Sequence, residues 1–175
     1  MLLPDEFAGD AGAKNFDYYE PRCGHGSSLS RAMHGLVAAR LGRSDTALRY
    51  FRQSAEIDLA DTHVAINGGV HIAALGGVWM TAVLGFAGLS VRRDGIAIDP
   101  QLPAQWRSLA FALQWRRRHL TIRTEQDGHS MEAKLESGDP MAVAGRGQPQ
   151  HLVPGQPLCG RPAPAQSAGE LLGSG

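Results

Sequence analysis

The segment Tyr18-Tyr19-Glu20-Pro21-Arg22-Cys23-Gly24-His25-Gly26-Ser27-Ser28-Leu29-Ser30 gathers a histidine, adjacent hydroxyls and two glycines just ahead of a helical pattern. Side chains of that kind at a helix N-terminus suit an anion. Unpaired backbone N–H groups and the positive end of the helix dipole face the ligand there. Glycine lets the backbone come close, while serine hydroxyls and a histidine ring nitrogen donate hydrogen bonds. A phosphate or a carboxylate fits. The competing reading is structural, with Ser28 or Ser30 serving as a helix cap.

The elements that must position these groups follow from periodicity. Leu29, Met33, Leu36, Val37 and Leu41 recur at spacings of three and four, and Gly42 follows as a stop signal. Ser44 is the expected cap of a second helix, with Leu48, Phe51, Ala55 and Leu59 along one stripe and Arg43, Arg49, Arg52 and Glu56 on a solvated face. The loops Asp61-Thr62-His63 and Asn67-Gly68-Gly69 lead into Val70 to Phe86, a segment apolar nearly all round, with small residues at Ala73, Ala74, Gly76 and Gly77. That pattern predicts a helix buried between neighbours, with Trp79 in the core. The stretch Thr46 to Asp58 resembles half of a tetratricopeptide unit, but no second copy follows, so a repeat array is excluded.

After about Leu89 the pattern switches to short β runs. Asp94-Gly95 separates Val91 from Ile96-Ala97-Ile98 as a hairpin signal. Phe111 to Trp115 and Leu120 to Thr124 flank a basic turn, Arg116 to His119. Gln126-Asp127-Gly128 and Ser137-Gly138-Asp139-Pro140 bracket another run, Met131 to Leu135. His151 to Val153 reads as an edge strand. From Gly145 to Gly175 glycine and proline supply 12 of 31 residues, which predicts a disordered tail beyond Cys159. The expected organisation is helical over 1–89, a small antiparallel β domain over 90–158 and a tail over 159–175.

Composition narrows the function classes. Lysine plus arginine equals aspartate plus glutamate at 17 each, so no basic field recruits nucleic acid or an anionic membrane. The two cysteines, Cys23 and Cys159, match no metal-ligand spacing and carry no disulfide framework. The N-terminus lacks a basic start and apolar run, and Val78 to Leu89 is too short to span a bilayer. A soluble, cytoplasmic protein is expected, with no metal site among its cysteines and histidines.

Three blocks resemble glycoside hydrolase family 65. They are Asn15 to Arg22 with His25 and Ser27-Ser28-Leu29-Ser30; Ala47-Leu48-Arg49-Tyr50-Phe51 with Asp58-Leu59; and Gly69-Val70-His71-Ile72 with Gly76-Gly77-Val78-Trp79 and Gly85 to Leu89. Asp99-Pro100, Leu102-Pro103, Trp106 and Arg118-His119-Leu120 extend the match into the β region. The family holds inverting phosphorylases of maltose, trehalose, kojibiose and nigerose, with some hydrolases. The resemblance implies the last helices of an (α/α)6 barrel followed by a β-sandwich, and so a C-terminal piece of a larger enzyme.

Inverting cleavage needs a general acid on the glycosidic oxygen and attack from the opposite face of the anomeric carbon. In a phosphorylase, inorganic phosphate is the attacking co-substrate. By the resemblance, Ser27, Ser28 and His71 hold that phosphate and His25 shapes or joins the site. His71 opens an apolar, glycine-rich segment where an unpaired ring is costly, and a satisfied core histidine is the structural alternative. The family's general acid, a glutamate, lies upstream of these blocks. Glu20 is expected to be a structural partner of Arg22 or of a backbone amide. Family members usually carry threonine, then serine or threonine, before the histidine and often aspartate after it; here Cys23, Gly24 and Gly26 stand in those places. The implied partners are an α-linked glucose disaccharide, phosphate, and either the missing N-terminal part or a second copy; the resemblance implies no organic cofactor. The alternatives are a fragment of a family hydrolase of trehalose, kojibiose or maltose, and a non-catalytic sugar-binding remnant.

Overall fold

The computed structural model describes residues 10–59, 69–126, 130–145 and 149–160. The expected loops Asp61-Thr62-His63 and Asp127-Gly128 lie outside them, as do residues 161–175. Helix α1 spans Ala11–Tyr19 and a 3-10 turn follows at Glu20–Arg22, with Pro21 near its start. Helix α2 spans Ser28–Arg40, α3 spans Ser44–Ala55 and α4 spans Ile72–Met80. The chain then winds into a π-helical segment, Thr81–Phe86.

Strands β1 (Leu89–Val91), β2 (Gly95–Ile98), β6 (Met141–Ala144) and β7 (Gln150–Leu152) form one sheet in the order β1-β2-β6-β7. Strands β3 (Ser108–Trp115), β4 (Arg118–Glu125), β5 (Met131–Ser137) and β8 (Leu158–Gly160) form the other in chain order. Pairing is antiparallel except between β2 and β6, which run parallel, so the β region is not purely antiparallel. In β4 alternate residues Leu120, Ile122 and Thr124 point inward, the period of a half-buried strand. One apolar core takes side chains from both sheets, including Ile96, Ile98 and Val143 from the first and Leu120, Ile122 and Leu135 from the second.

Several elements depart from expectation. Strand β6 follows Pro140 where only a turn had been marked, and the edge strand expected at His151 to Val153 pairs one residue earlier. Strand β8 carries Cys159 and Gly160 into the segment expected to be tail, because Glu132 and Met131 of β5 offer them a free edge. On α3 the buried face is Ala47, Leu48, Tyr50 and Ser54, whereas Leu59 lies past the helix end and is 80% exposed. The segment from Val70 is not buried all round. Ala74 and Gly77 face α2, while Val70, Ile72, Leu75 and Trp79 are exposed, Trp79 by 48%. Trp79 is therefore not a core residue.

The α2–α4 contact sets the geometry of the helical part. A Cβ on Gly77 would meet the Ala32 Cβ at 2.5 Å and the Leu29 side chain at 3.1 Å, so only glycine permits this approach. Further along, the Thr81 hydroxyl donates to the carbonyl oxygens of Ala32 and Gly77, both at 2.9 Å. Gly85 then lies against Leu36 and Ala39. Residue numbers rise together on both sides, so the two helices run parallel and begin at the same end.

The π-helical segment joins the two halves. Val83 belongs to the sheet core, while Phe86 sits in the helical core with Phe16, Ala39 and Leu48. Phe51, Phe86 and Trp106 stack edge to face with centroids 5.0–5.8 Å apart. Half-buried Arg40, at the end of α2, donates to the carbonyl oxygens of Leu84 at 3.0 Å and Leu89 at 3.3 Å. Gly88, at φ +65, makes the turn into β1 with the Asp99 backbone so close that a Cβ would lie 1.9 Å from its carbonyl oxygen. No helix among the described residues is long and apolar enough to cross a membrane.

Candidate functional site

Residues 23–27 connect the Glu20–Arg22 turn to α2 without regular structure. Ser27 is the cap of α2: its Oγ accepts from the Leu29 N–H at 3.3 Å, with backbone φ −98° and ψ 138°. The capping role expected of Ser28 or Ser30 thus belongs to Ser27. Ser28 is the first helical residue. Its hydroxyl has no hydrogen-bond partner among the described residues, and it sits where the helix N–H groups are unpaired.

His25 adopts φ +46°, a left-handed conformation that L-residues seldom take. Its ring lies at the centre of a chain of hydrogen bonds. Nδ1 is 3.0 Å from Ser30 Oγ, and Nε2 is 3.0 Å from the Tyr50 hydroxyl oxygen. The Tyr50 hydroxyl donates to Glu20 Oε1 at 2.6 Å, and Cys23 Sγ lies 3.4 Å from Ser30 Oγ.

The direction of this chain follows from its ends. Tyr50 has one proton and gives it to Glu20, so it receives the Nε2–H of His25. His25 Nδ1 then carries a lone pair and accepts from the Ser30 hydroxyl, which in turn accepts from the Cys23 thiol. His34 Nδ1 donates to the Ser30 carbonyl oxygen at 2.9 Å, and its ring stands edge-on to His25 with centroids 4.6 Å apart.

Electrostatics agree with these roles. Burial first, then the hydrogen bond to Glu20, pushes the Tyr50 phenol up to about 12, so it stays a donor. Burial lowers His25 from its ordinary value, and neighbouring His34 and Arg31 add to the shift, which favours the neutral ring. A hydrogen bond donated by Ser30 to the thiolate, in competition with the Ser30–His25 bond, and then a backbone hydrogen bond with His25 draw the Cys23 thiol below its usual range. Glu20 is also 3.6 Å from the Arg49 guanidinium, which stacks over the Tyr50 ring. Arg22 instead donates to the Tyr18 carbonyl oxygen and covers the Tyr18 ring. The expected Glu20–Arg22 pairing is replaced by Glu20–Tyr50 because α3 presents its buried face to the turn.

His71 is held apart from this chain. It is the N-cap residue of α4, and Asp58 grips it twice: Oδ2 accepts the His71 backbone N–H at 2.9 Å and Oδ1 accepts Nδ1–H at 2.6 Å. The His71 side chain therefore hydrogen-bonds Asp58, and the bond lowers the Asp58 carboxyl. Nε2 remains for a ligand. No hydrogen bond among the described residues joins His71 to Ser27, Ser28 or His25. The parallel run of α2 and α4 starts both helices, and aims both positive dipole ends, at the same end of the bundle.

Tyr50, Ser30, His34 and Asp58 were not foreseen as site residues. A signal existed for Tyr50, since a tyrosine on the buried face of a helix must find a partner for its hydroxyl. No metal-ligand group was expected of the cysteines and histidines. Cys23, His25 and His34 each place one ligand atom within 4.8 Å of the other two. Their sequence spacing fits no known ligand pattern, and only the turn of the 23–27 loop against α2 assembles them.

Comparisons with known proteins agree with this architecture. The sequence profile of the glycosyl hydrolase family 65 central catalytic domain matches residues 1–80, and that of the family's C-terminal domain matches residues 89–152. The alpha,alpha-trehalose phosphorylase of Geobacillus stearothermophilus is 34% identical over 158 residues, 90% of this chain and 20% of that protein. The kojibiose phosphorylase of Escherichia coli (strain K12) is 45% identical over 115 residues, 65% of this chain and 15% of that protein. A solved structure named "Putative kojibiose phosphorylase from human microbiome" superposes with a TM-score of 0.80 at 25% identity, covering 92% of this chain and 22% of its own. The chain thus spans about a fifth of the length of these relatives. With one profile over its helices and the other over its sheets, the chain belongs to glycosyl hydrolase family 65.

Proposed function

We propose that this chain is the C-terminal part of an inverting α-glucoside phosphorylase and supplies the phosphate side of its active site. The observation that carries the reading is the shared starting end of α2 and α4, which aims the Ser27–Ser28 loop and His71 toward one region. In this role Ser27 and Ser28 donate hydroxyls and helix N–H groups to phosphate, and His25 shapes the loop from behind. As an imidazolium His71 donates through Nε2, with Asp58 accepting from the opposite nitrogen. Phosphate so held attacks the anomeric carbon while a general acid protonates the departing oxygen, and inversion at an α-linked glucose yields β-glucose 1-phosphate.

The general acid is assigned to a glutamate upstream of these residues, since Glu20 is committed to Tyr50 and Arg49. The helices are read as the last of an (α/α)6 barrel and the two sheets as a β-sandwich. The exposed apolar stripe Val70, Ile72, Leu75 and Trp79 supports this, because barrel neighbours would cover such a face. The relatives named above are phosphorylases, which favours phosphate over water as the nucleophile.

Co-expression with the upstream part of a family 65 enzyme tests the proposal. The 175-residue chain alone is expected to be inactive, and the completed enzyme to cleave an α-linked glucose disaccharide only with phosphate present. Replacing Ser27 and Ser28 together by alanine removes hydrogen bonds to a charged ligand and should raise the KM for phosphate about 10- to 100-fold. Cleavage without phosphate by the completed enzyme, or phosphorolysis by the isolated chain, overturns the reading.

A further inference from the structure

We infer that Cys23, His25 and His34 form a three-ligand site for Zn2+, with the fourth coordination position open to water. The site stands on these three side chains and does not depend on the phosphate reading. Ligand atoms from all three already lie within 4.8 Å of one another. Tetrahedral zinc, with Zn–S near 2.3 Å and Zn–N near 2.0–2.1 Å, requires ligand separations of about 3.3–3.6 Å. Closing the group therefore takes a movement of roughly 1.5 Å at the widest pair. The loop can supply it: residues 23–27 have no regular structure, and a Cβ on Gly24 or Gly26 would meet nothing within 4 Å.

The surroundings of both histidines are those of metal ligands. A metal-bound imidazole as a rule donates its other ring N–H to a carbonyl, a carboxylate or an equivalent acceptor, which fixes the tautomer and raises ligand basicity. His34 gives Nδ1–H to the Ser30 carbonyl oxygen, which leaves the Nε2 lone pair. His25 gives Nε2–H to the Tyr50 oxygen, itself bonded to the Glu20 carboxylate, which leaves the Nδ1 lone pair. That lone pair and Cys23 Sγ already converge on one atom, Ser30 Oγ, at 3.0 and 3.4 Å. Zinc would take over these two contacts from the Ser30 hydroxyl. The left-handed φ of +46° at His25 is the backbone conformation that presents its ring to this point.

One thiolate and two imidazoles select a borderline-soft ion such as Zn2+ over Mg2+ or Ca2+.

The test is titration of the reduced 175-residue chain with Co2+, followed by displacement with Zn2+. One equivalent of cobalt should bind, with a thiolate-to-cobalt charge-transfer band in the near ultraviolet and tetrahedral ligand-field bands in the visible. Zinc should abolish both. Cys23→Ser should remove the charge-transfer band, His34→Gln should weaken binding at least about tenfold, and Tyr50→Phe, acting only through His25, about tenfold. Cys159→Ser should change nothing. Circular dichroism of each metal-free variant separates lost ligation from lost fold. The wild-type band decides the matter even if a variant unfolds. No thiolate band with cobalt in about tenfold excess, or a band that survives Cys23→Ser and disappears with Cys159→Ser, overturns the site.

Discussion

His25 occupies a position where one ring serves several neighbours, and the acid side of its titration reveals how much they depend on it. Its folded pKa lies below the ordinary 6.5, through burial first and the nearby His34 and Arg31 second. Above 6.5 both folded and unfolded chains hold the ring neutral, and its contribution to stability is fully present. As pH falls below 6.5 the unfolded chain takes up the proton first, so stability declines until the lowered folded pKa is passed. Urea midpoints measured between about pH 5 and 8 should therefore fall toward acid, and His25→Gln should flatten that slope. An unchanged slope in the variant would assign the effect to another histidine.

The residue scale is also where sequence reading fell shortest. The loop ahead of α2 stood out in the sequence because serine, histidine and glycine cluster within a few positions. Tyr50 and Glu20 are 30 residues apart and Asp58 and His71 are 13 apart. Periodicity says which face of a helix is buried but not which polar atom waits on the other side.

At the scale of elements, α2, α3 and the major strands could be read from hydrophobic spacing, and β4 alternates as a half-buried strand should. Strands β6 and β8 were missed because each is short and defined by the partner edge it completes. The Arg116-Arg117 segment was read only as part of a basic turn, yet both residues have positive φ, 47° and 62°. The long register from Ser108 to Glu125 holds them there against their own preference.

Two adjacent glycines in α4 separate close packing from helix propensity. Gly77→Ala drives a Cβ to 2.5 Å from the Ala32 Cβ, an atom fixed to its backbone, so the helices must spread. The expected loss is about 1–3 kcal/mol. Gly76→Ala meets nothing within 4 Å and should stabilise by about 0.5–1 kcal/mol. Thermal or urea unfolding of the pair measures the opposite signs, and a neutral Gly77→Ala would refute the tight α2–α4 approach.

For the molecule as a whole, the exposed stripe of Val70, Ile72, Leu75 and Trp79 governs behaviour in solution. An apolar face of this kind promotes association. Sedimentation velocity on the 175-residue chain should show concentration-dependent species, and Ile72→Lys with Trp79→Glu should return a monomer. A wild-type chain that stays monomeric at high concentration would show that the stripe does not drive association. The switch from helices to sheets near Leu89 was legible from the change of period, whereas the exposure of this stripe was not, since apolarity alone looks the same in a core as on an uncovered surface.

Helix α2 is a stiff rod of 13 residues, about 20 Å long. The serine loop stands at one end of it. At the other, Arg40 is moored to carbonyl oxygens on the approach to the sheets. A rod held this way acts as a lever. Any reseating of the β module swings the far hydroxyls by a comparable distance, so substitutions in strands that never touch a ligand become adjustments of the loop's aim. The sheets are then the mount that sets the direction of the helix, and Arg40 is the bolt through which that setting is passed on.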